Sequence, residues 1–282
     1  MTAGAARRLC SDLRLNPAVA VEVLTGFIEE ETRRAGMKRV VVGLSGGVDS
    51  ALAAVLARRA LGKDGVIALL MPYRLSHPSS QSDALGLARR LGVKTESFDI
   101  TPMVDAWFAS DPKANRLRRG NKMARERMSI LYDRSMAHQA LVLGTSNKTE
   151  LLIGYGTIHG DMASSINPIG DLYKTQVRQL AAHVKVPAAI VRKTPTADLW
   201  PDQTDEGEIG LSYADLDQLL YLLVDARYTR DAAVKAGWPS AMVDRVRRMM
   251  ARSQFKRRLP LIAKLSARTV GVDFRYPRDW AT

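Results

Sequence analysis

The stretch Val40-Val41-Val42-Gly43-Leu44-Ser45-Gly46-Gly47-Val48-Asp49-Ser50 constrains the fold more than any other part of the chain. A short β-branched run stops at two adjacent glycines and passes into the alanine-rich segment 51–60, a strong helix former. The pattern is strand, tight turn, helix N-terminus. Such a turn presents backbone N–H groups to an anion, and the helix dipole adds favourable potential. Glycine suits the turn because a Cβ would block close approach of a phosphate and disfavour positive φ. No lysine follows the glycines, so this is not the G-x-x-x-x-G-K-[ST] loop. A plain α/β turn, with Ser45 as N-cap and Asp49 complementing the helix dipole, is the other reading of the same residues.

The remaining pattern extends this unit. Residues 17–35 have Ala20, Leu24, Phe27 and Ile28 on one helical face. Strands are expected over 38–45, 65–71, 94–100 and 141–143, and helices over 79–91 and 115–138. Strands alternating with helices predict an α/β fold with a doubly wound parallel sheet and right-handed crossovers. Ligands in such sheets bind at the carboxyl ends of the strands, where Ser45, Met71 and Gly144 lie. No internal repeat, low-complexity tract or long linker interrupts the chain. The expectation is a single domain over 1–282: a sheet core over about 17–170 and a mostly helical part over about 171–282.

Composition removes several function classes. No apolar run reaches the ~20 residues of a membrane span, and the first residues lack a basic-then-apolar signal pattern. A cytoplasmic protein with no membrane partner is expected. The one cysteine, Cys10, rules out an internal disulfide and a cysteine-based zinc site and disfavours a persulfide relay. It also lacks the context of a glutaminase nucleophile. A net charge of +13 points to an anionic partner, either nucleotides or nucleic acid. With 6% aromatic residues and no interleaved basic and aromatic stripe, small nucleotides are favoured over nucleic acid.

A second strand-loop-helix unit runs from Leu141 to Glu150 through Gly144-Thr145-Ser146-Asn147-Lys148-Thr149. Asn147 as N-cap with Glu150 at N3 reads as a capping box. Glu150 also falls at a strand's carboxyl end, as Asp49 does. Two carboxylates facing a triphosphate suit Mg²⁺, which prefers oxygen ligands and bridges phosphate oxygens.

Ser45-Gly46-Gly47-Val48-Asp49-Ser50 resembles the loop of the PP-loop ATP pyrophosphatases. Gly144 to Glu150, together with Gly154-Tyr155-Gly156-Thr157-Ile158-His159-Gly160-Asp161-Met162-Ala163, resembles the NAD synthetase family more specifically. The resemblance continues in Asp171 to Val177, Pro195 to Trp200, Gln203 to Glu206 and Phe255 to Pro260, so that it covers roughly residues 20–277. It implies a Rossmann-like sheet of the adenine nucleotide alpha hydrolase type with extra C-terminal helices. It also implies ATP-dependent amidation of nicotinic acid adenine dinucleotide (deamido-NAD) by ammonia through an acyl adenylate.

Roles follow from the resemblance. Gly43, Leu44, Ser45, Gly46, Gly47, Val48, Asp49 and Ser50 would hold the ATP phosphates, with Thr145, Lys174 and Thr196 as further ATP contacts. Asp49 and Glu150 would bind Mg²⁺, and Asp161 corresponds to a carboxylate near the ammonia site. Asp161 and Lys174 are therefore the candidate catalytic residues. Asn121, Arg125, Ile158, Ser165, Lys256 and Arg257 match deamido-NAD positions. Many ammonia-dependent members carry lysine at the position of Ile158 and aspartate at that of Ser165; this segment is closer to the synthetase domain of the glutamine-dependent branch. Blander readings stand beside these: a solvated lysine for Lys174, a turn for Thr196 and Asp161, an exposed basic face for Asn121 and Arg125, and a frayed tail for Lys256 and Arg257. His159 is a candidate lining residue by its neighbours alone. Free ammonia is the expected nitrogen donor, with a separate glutaminase as a candidate partner. The family also implies a homodimer, for which Ala124, Met128 and Leu131 of the long helix offer an apolar face, core packing being the other use of those residues. Two other functions share the first loop: a tRNA-modifying PP-loop enzyme and a non-catalytic nucleotide sensor.

Overall fold

The computed structural model describes residues 13–200, 202–258 and 260–274; Cys10 lies outside them. Helix α1 (Pro17–Arg34) starts at Asn16, whose side chain accepts from Val19 N–H, with proline in the first turn. Strand β1 (Arg39–Gly43), helix α2 (Val48–Leu61) and strand β2 (Val66–Leu70) follow. Helix α3 (Pro78–Leu91) leads to β3 (Lys94–Ser97), and helices α4 (Thr101–Phe108) and α5 (Arg116–His138) lead to β4 (Ala140–Val142). The sheet order is β3-β2-β1-β4, and every pairing is parallel.

The alternation of side chains along β1 explains both layers. Val40 and Val42 pack with α1, α2 and α3, whereas Val41 packs with α4 and α5 on the opposite face. All three valines are fully buried, as a parallel strand covered on both faces requires. The chain winds from β1 outward to β3 and returns to β4 on the other side of β1. The reversal opens a crevice at the carboxyl ends of β1 and β4.

The third strand is shorter than the expected 94–100. It ends at Ser97, and Phe98 to Ile100 bend into α4, which the sequence pattern did not separate from the strand. Pro102 at the start of α4 and Asp99, which accepts from Thr101 N–H, set that helix start. The expected strand at 141–143 is Ala140–Val142; Leu143 joins Ile166 through a single bridge.

Beyond β4 the chain is helical, as expected. Helices α6 (Lys148–Ile153), α7 (Lys174–His183) and α8 (Ala188–Arg192) return to the sheet region. Helices α9 (Asp205–Ile209), α10 (Tyr213–Val224), α11 (Arg230–Lys235) and α12 (Ser240–Arg252) build a further apolar cluster around Tyr213, Leu216, Leu220 and Val246. Among the described residues no helix is long and apolar enough to cross a membrane. Ala124, Met128 and Leu131 of α5 are buried within the chain, and the last two pack on the sheet, which corrects their expected role as a face between subunits.

Leu52, on α2, is fully buried in the cluster behind β1. Leu52→Ala is expected to lower the unfolding free energy by about 2–5 kcal/mol, measured from the urea midpoint at constant slope.

Candidate active site

The first loop is held by its own hydroxyls. Ser45 Oγ lies 3.0 Å from Ser50 Oγ and accepts from Gly47 N–H at 3.2 Å. Ser50 Oγ accepts from Ser45 N–H at 3.2 Å and lies 3.1 Å from the Gly47 carbonyl. The N-cap of α2 is Gly47, without a side-chain cap, so the reading of Ser45 as N-cap is corrected. The first N–H groups of α2 therefore remain open to an anion. Gly46 has φ +78°, and a Cβ there would meet the Ser80 carbonyl oxygen at 2.3 Å. Glycine is required at that position both for backbone conformation and for contact with α3.

The second loop forms the expected capping box. Asn147 Oδ1 accepts from Glu150 N–H at 3.0 Å, and Glu150 Oε2 accepts from Asn147 N–H at 3.2 Å. The capping box coexists with a site. Asn147 Nδ2 donates to Asp49 Oδ1 at 2.9 Å, and Lys174 Nζ donates to Asp49 Oδ2 at 2.6 Å and to Glu150 Oε1 at 3.1 Å. Lys174 is 3% exposed, so the solvated-lysine reading is corrected. Burial pulls the Lys174 ammonium toward deprotonation, but Asp49, Glu150 and Asp205 outweigh it and hold the proton above its ordinary range. Burial raises the Glu150 carboxyl; Lys174 opposes this, and Asp49 and Asp205 reinforce it. Asp205, also buried and raised by burial, accepts from Tyr155 and Tyr213 hydroxyls at 3.1 and 3.0 Å.

Two carboxylates thus contact one ammonium, and Asp205 adds its field from nearby. Among the described residues no group of three or more histidine, cysteine or carboxylate side chains forms a metal cage. Asp49 and Glu150 already converge on one cation with hard oxygen donors. That donor set fits Mg²⁺, which takes one or two carboxylates and fills its sphere with phosphate oxygens and water.

These groups open into one cavity of about 510 Å³, a size ordinary for a small-molecule site. All residues from Gly43 to Ser50 line it, with Thr145, Glu150, Asp161, Lys174, Thr196, Asn121 and Lys256. Asp161 Oδ1 accepts from Thr157 N–H at 2.9 Å, and Thr157 Oγ1 donates to Asn121 Oδ1 at 2.8 Å. Lys256 Nζ donates to the Gly154 and Gly156 carbonyls at 2.8 and 2.7 Å, which corrects the frayed-tail reading. Five sequence-selected residues, Arg125, Ile158, His159, Ser165 and Arg257, are not brought to this cavity. Arg125 is exposed, and its Nε donates to the Ile158 carbonyl at 3.2 Å. Ser165 Oγ accepts from Val142 N–H at the edge of β4. Arg257 donates to the Leu151, Leu152 and Met250 carbonyls, satisfying the ends of α6 and α12. His159 is exposed with φ +60° and does not line the cavity, which corrects its candidacy.

The cavity also holds cations that sequence reasoning missed. Arg127 lines it while its Nε donates to the Met71 carbonyl at the end of β2 at 3.0 Å. Lys193 lines it and pairs with Asp83 at 2.8 Å. On α5 the cavity face is Leu117, Asn121, Ala124, Met128 and Leu131, a helical spacing readable in the sequence. Arg125 and Arg127 flank that face on opposite sides, and only tertiary packing selects between them.

A parallel sheet of order β3-β2-β1-β4, with a Ser-Gly-Gly-Val-Asp-Ser loop after its inner strand, defines the PP-loop α/β class. The NAD synthase family profile matches residues 20–260. The NH(3)-dependent NAD(+) synthetase of Chlorobaculum parvum is 54% identical over 269 residues, covering 95% of this chain and 97% of that protein. The structure of the NH3-dependent NAD synthetase from Campylobacter jejuni is 34% identical with a TM-score of 0.77, covering 89% of this chain and all of that one. The glutamine-dependent NAD+ synthetase from Acinetobacter baumannii is 28% identical with a TM-score of 0.67, covering 94% of this chain and 50% of that one. The chain belongs to the NAD synthase family.

The two loop glycines differ in what a methyl group would meet. Gly46→Ala is expected to cost about 2 kcal/mol or more, from positive φ and the clash with Ser80. Gly47→Ala, at an ordinary φ of −89° and with the Ser45 hydroxyl 3.3 Å away as its nearest neighbour, is expected to cost below about 1 kcal/mol. Urea unfolding of the two variants beside the parent checks the contrast.

Proposed function

We propose that this chain amidates deamido-NAD with ammonia, converting ATP to AMP and pyrophosphate. The observation that carries the reading is the Asp49–Lys174–Glu150 cluster beside an uncapped helix N-terminus. Identity of 54% along almost the whole of an NH(3)-dependent relative supports it over a tRNA-modifying function. A carboxylate is a poor electrophile. Its oxygen attacks the α-phosphorus of ATP, the bond to the bridging oxygen breaks, and pyrophosphate leaves. The acyl adenylate then has a good leaving group. Ammonia adds to the acyl carbon, AMP departs with the labile oxygen, and one proton is released.

The loop from Gly43 to Ser50 holds the phosphates through backbone N–H groups and the α2 dipole, with Thr145 and Thr196 as further ATP contacts. Lys174, kept protonated by its carboxylates, supplies positive charge where the pyrophosphate develops negative charge. Asp49 and Glu150 would hold Mg²⁺, which supplies neutralisation of phosphate charge when bound. Asp161, tethered by Thr157 N–H, is the carboxylate that receives ammonium and orients ammonia. Asn121 and Lys256 meet the dinucleotide from within the cavity. Arg125, Ile158, Ser165 and Arg257 lie outside the cavity and take no part in this assignment. A homodimer is part of this reading. The exposure of Leu117, Tyr132 and Met136 on α5 supports that helix as the shared surface in place of its buried residues. Residues 1–282 act as one synthetase unit, with free ammonia as the direct nitrogen donor and a separate glutaminase as an optional supplier.

Purified protein with ATP, Mg²⁺ and deamido-NAD is expected to form NAD with ammonium, one AMP per NAD. Glutamine in place of ammonium is expected to give none; NAD formed from glutamine alone overturns the donor assignment, and no NAD with ammonium overturns the function. Lys174→Met is expected to reduce kcat by about 100-fold or more, read in the same assay with folding checked by circular dichroism.

A further inference from the structure

Helix α7 carries Lys174 as its first residue, and its start is capped from a distance. Tyr173 at the N-cap position turns its phenol to Asp225 Oδ2. The first two N–H groups of the helix go elsewhere. Lys174 N–H donates to Thr149 Oγ1 at 3.0 Å, and Thr175 N–H donates to Asp217 Oδ2 at 2.7 Å. Thr149 Oγ1 in turn donates to Asp217 Oδ1 at 2.6 Å. Asp217 comes from α10 and is fully buried. Both of its oxygens are therefore used, one on the start of α7 and one on the start of α6.

The residues it grips are the immediate neighbours of the charged cluster. Thr149 precedes Glu150, and Thr175 follows Lys174. We propose that Asp217 is a positioning residue for the amidation chemistry, fixing Glu150 and Lys174 relative to one another by tying the starts of α6 and α7 through Thr149 and Thr175. This rests on the function proposed above. A buried carboxylate is costly unless several donors and a helix dipole meet it. Here they do, and the return is rigidity at a point where both chain segments deliver a charged side chain. Without the tie each helix keeps its packing, but the Lys174 ammonium is free to slide along its carboxylates. Misplacement on that scale is enough to slow a positioned reaction severely. The helical C-terminal part thereby acts on the ATP side of the site through α10, without its Asp217 touching the cavity.

The test compares Asp217→Asn, Thr149→Val and Thr149→Ser with the parent. Asn keeps the shape but places an NH₂ where an acceptor stood. Val is isosteric with Thr and removes the relay oxygen, whereas Ser retains it. Binding of Mg²⁺ with a non-hydrolysable ATP analogue is read by calorimetry, and kcat and the KM for ammonium by NAD formation. Asp217→Asn and Thr149→Val are expected to lose on the order of 10- to 100-fold in analogue affinity and in kcat. The KM for ammonium is expected to stay within about twofold, and Thr149→Ser is expected to recover most of the loss. Folded Asp217→Asn and Thr149→Val proteins that bind the analogue as the parent does, whatever their melting temperatures, overturn the proposal. If Asp217→Asn does not fold, the Thr149 pair decides alone. A parent protein that makes no NAD from ammonium contradicts the proposed function instead, and calorimetry still judges the positioning role.

Discussion

The buried ammonium of Lys174 is the constraint on which the arrangement of the site depends. Its two carboxylate partners come from different elements, Asp49 from the first turn of α2 and Glu150 from that of α6. The pair therefore cannot form until the β1 and β4 units stand side by side and α7 has returned to them. Removing one member of such a buried pair costs about 3–5 kcal/mol. Hydrophobic residues of the same volume would pack there at no such risk, so the charges are retained for what they do. A pair of carboxylates on one ammonium is poised to receive a metal-bound phosphate, and the uncapped start of α2 lies beside it.

The fold supplies the crevice and the cluster supplies its chemistry. Reversal of strand order around β1 leaves the carboxyl ends of β1 and β4 open to the same space. Helix α5 closes one wall with a mostly apolar face, and segment 195–200 closes another. Cations stand around the cavity but are individually restrained: Lys193 by Asp83, Lys256 by two carbonyls, Arg127 by the Met71 carbonyl. Restraint of this kind fixes positive charge in place before a multiply charged ligand arrives, which lowers the cost of organising it.

Much of this was legible locally. The Val40–Val42 run and the paired glycines define β1 and its turn, and the Asn147–Glu150 spacing defines both a capping box and a site carboxylate. Contiguous motifs carry such information because neighbouring residues share one loop. Arg127 and Lys193 were not legible, because each reaches the cavity through packing of an element on a distant partner. The same reason separates Arg127 from Arg125, two arginines in one helical turn with opposite destinations. Helix α4 was hidden because the apolar Phe98 and Ile100 prolong the pattern of β3, while the stop depends on Pro102 and on Asp99. Ser45 as N-cap was a sound local reading that hydroxyl pairing inside the loop displaced, Ser45 Oγ meeting Ser50 Oγ and the Gly47 N–H while Gly47 takes the cap position.

The central claim is that this cluster holds the pyrophosphate end of ATP while a carboxylate takes the AMP. Deamido-NAD labelled with ¹⁸O in its carboxylate tests it most directly, with the position of the label in the products read by mass spectrometry. The expected result is one ¹⁸O in AMP and none in pyrophosphate. Label in pyrophosphate, or AMP formed without label, would contradict attack at the α-phosphorus and with it the role assigned to Asp49, Lys174 and Glu150.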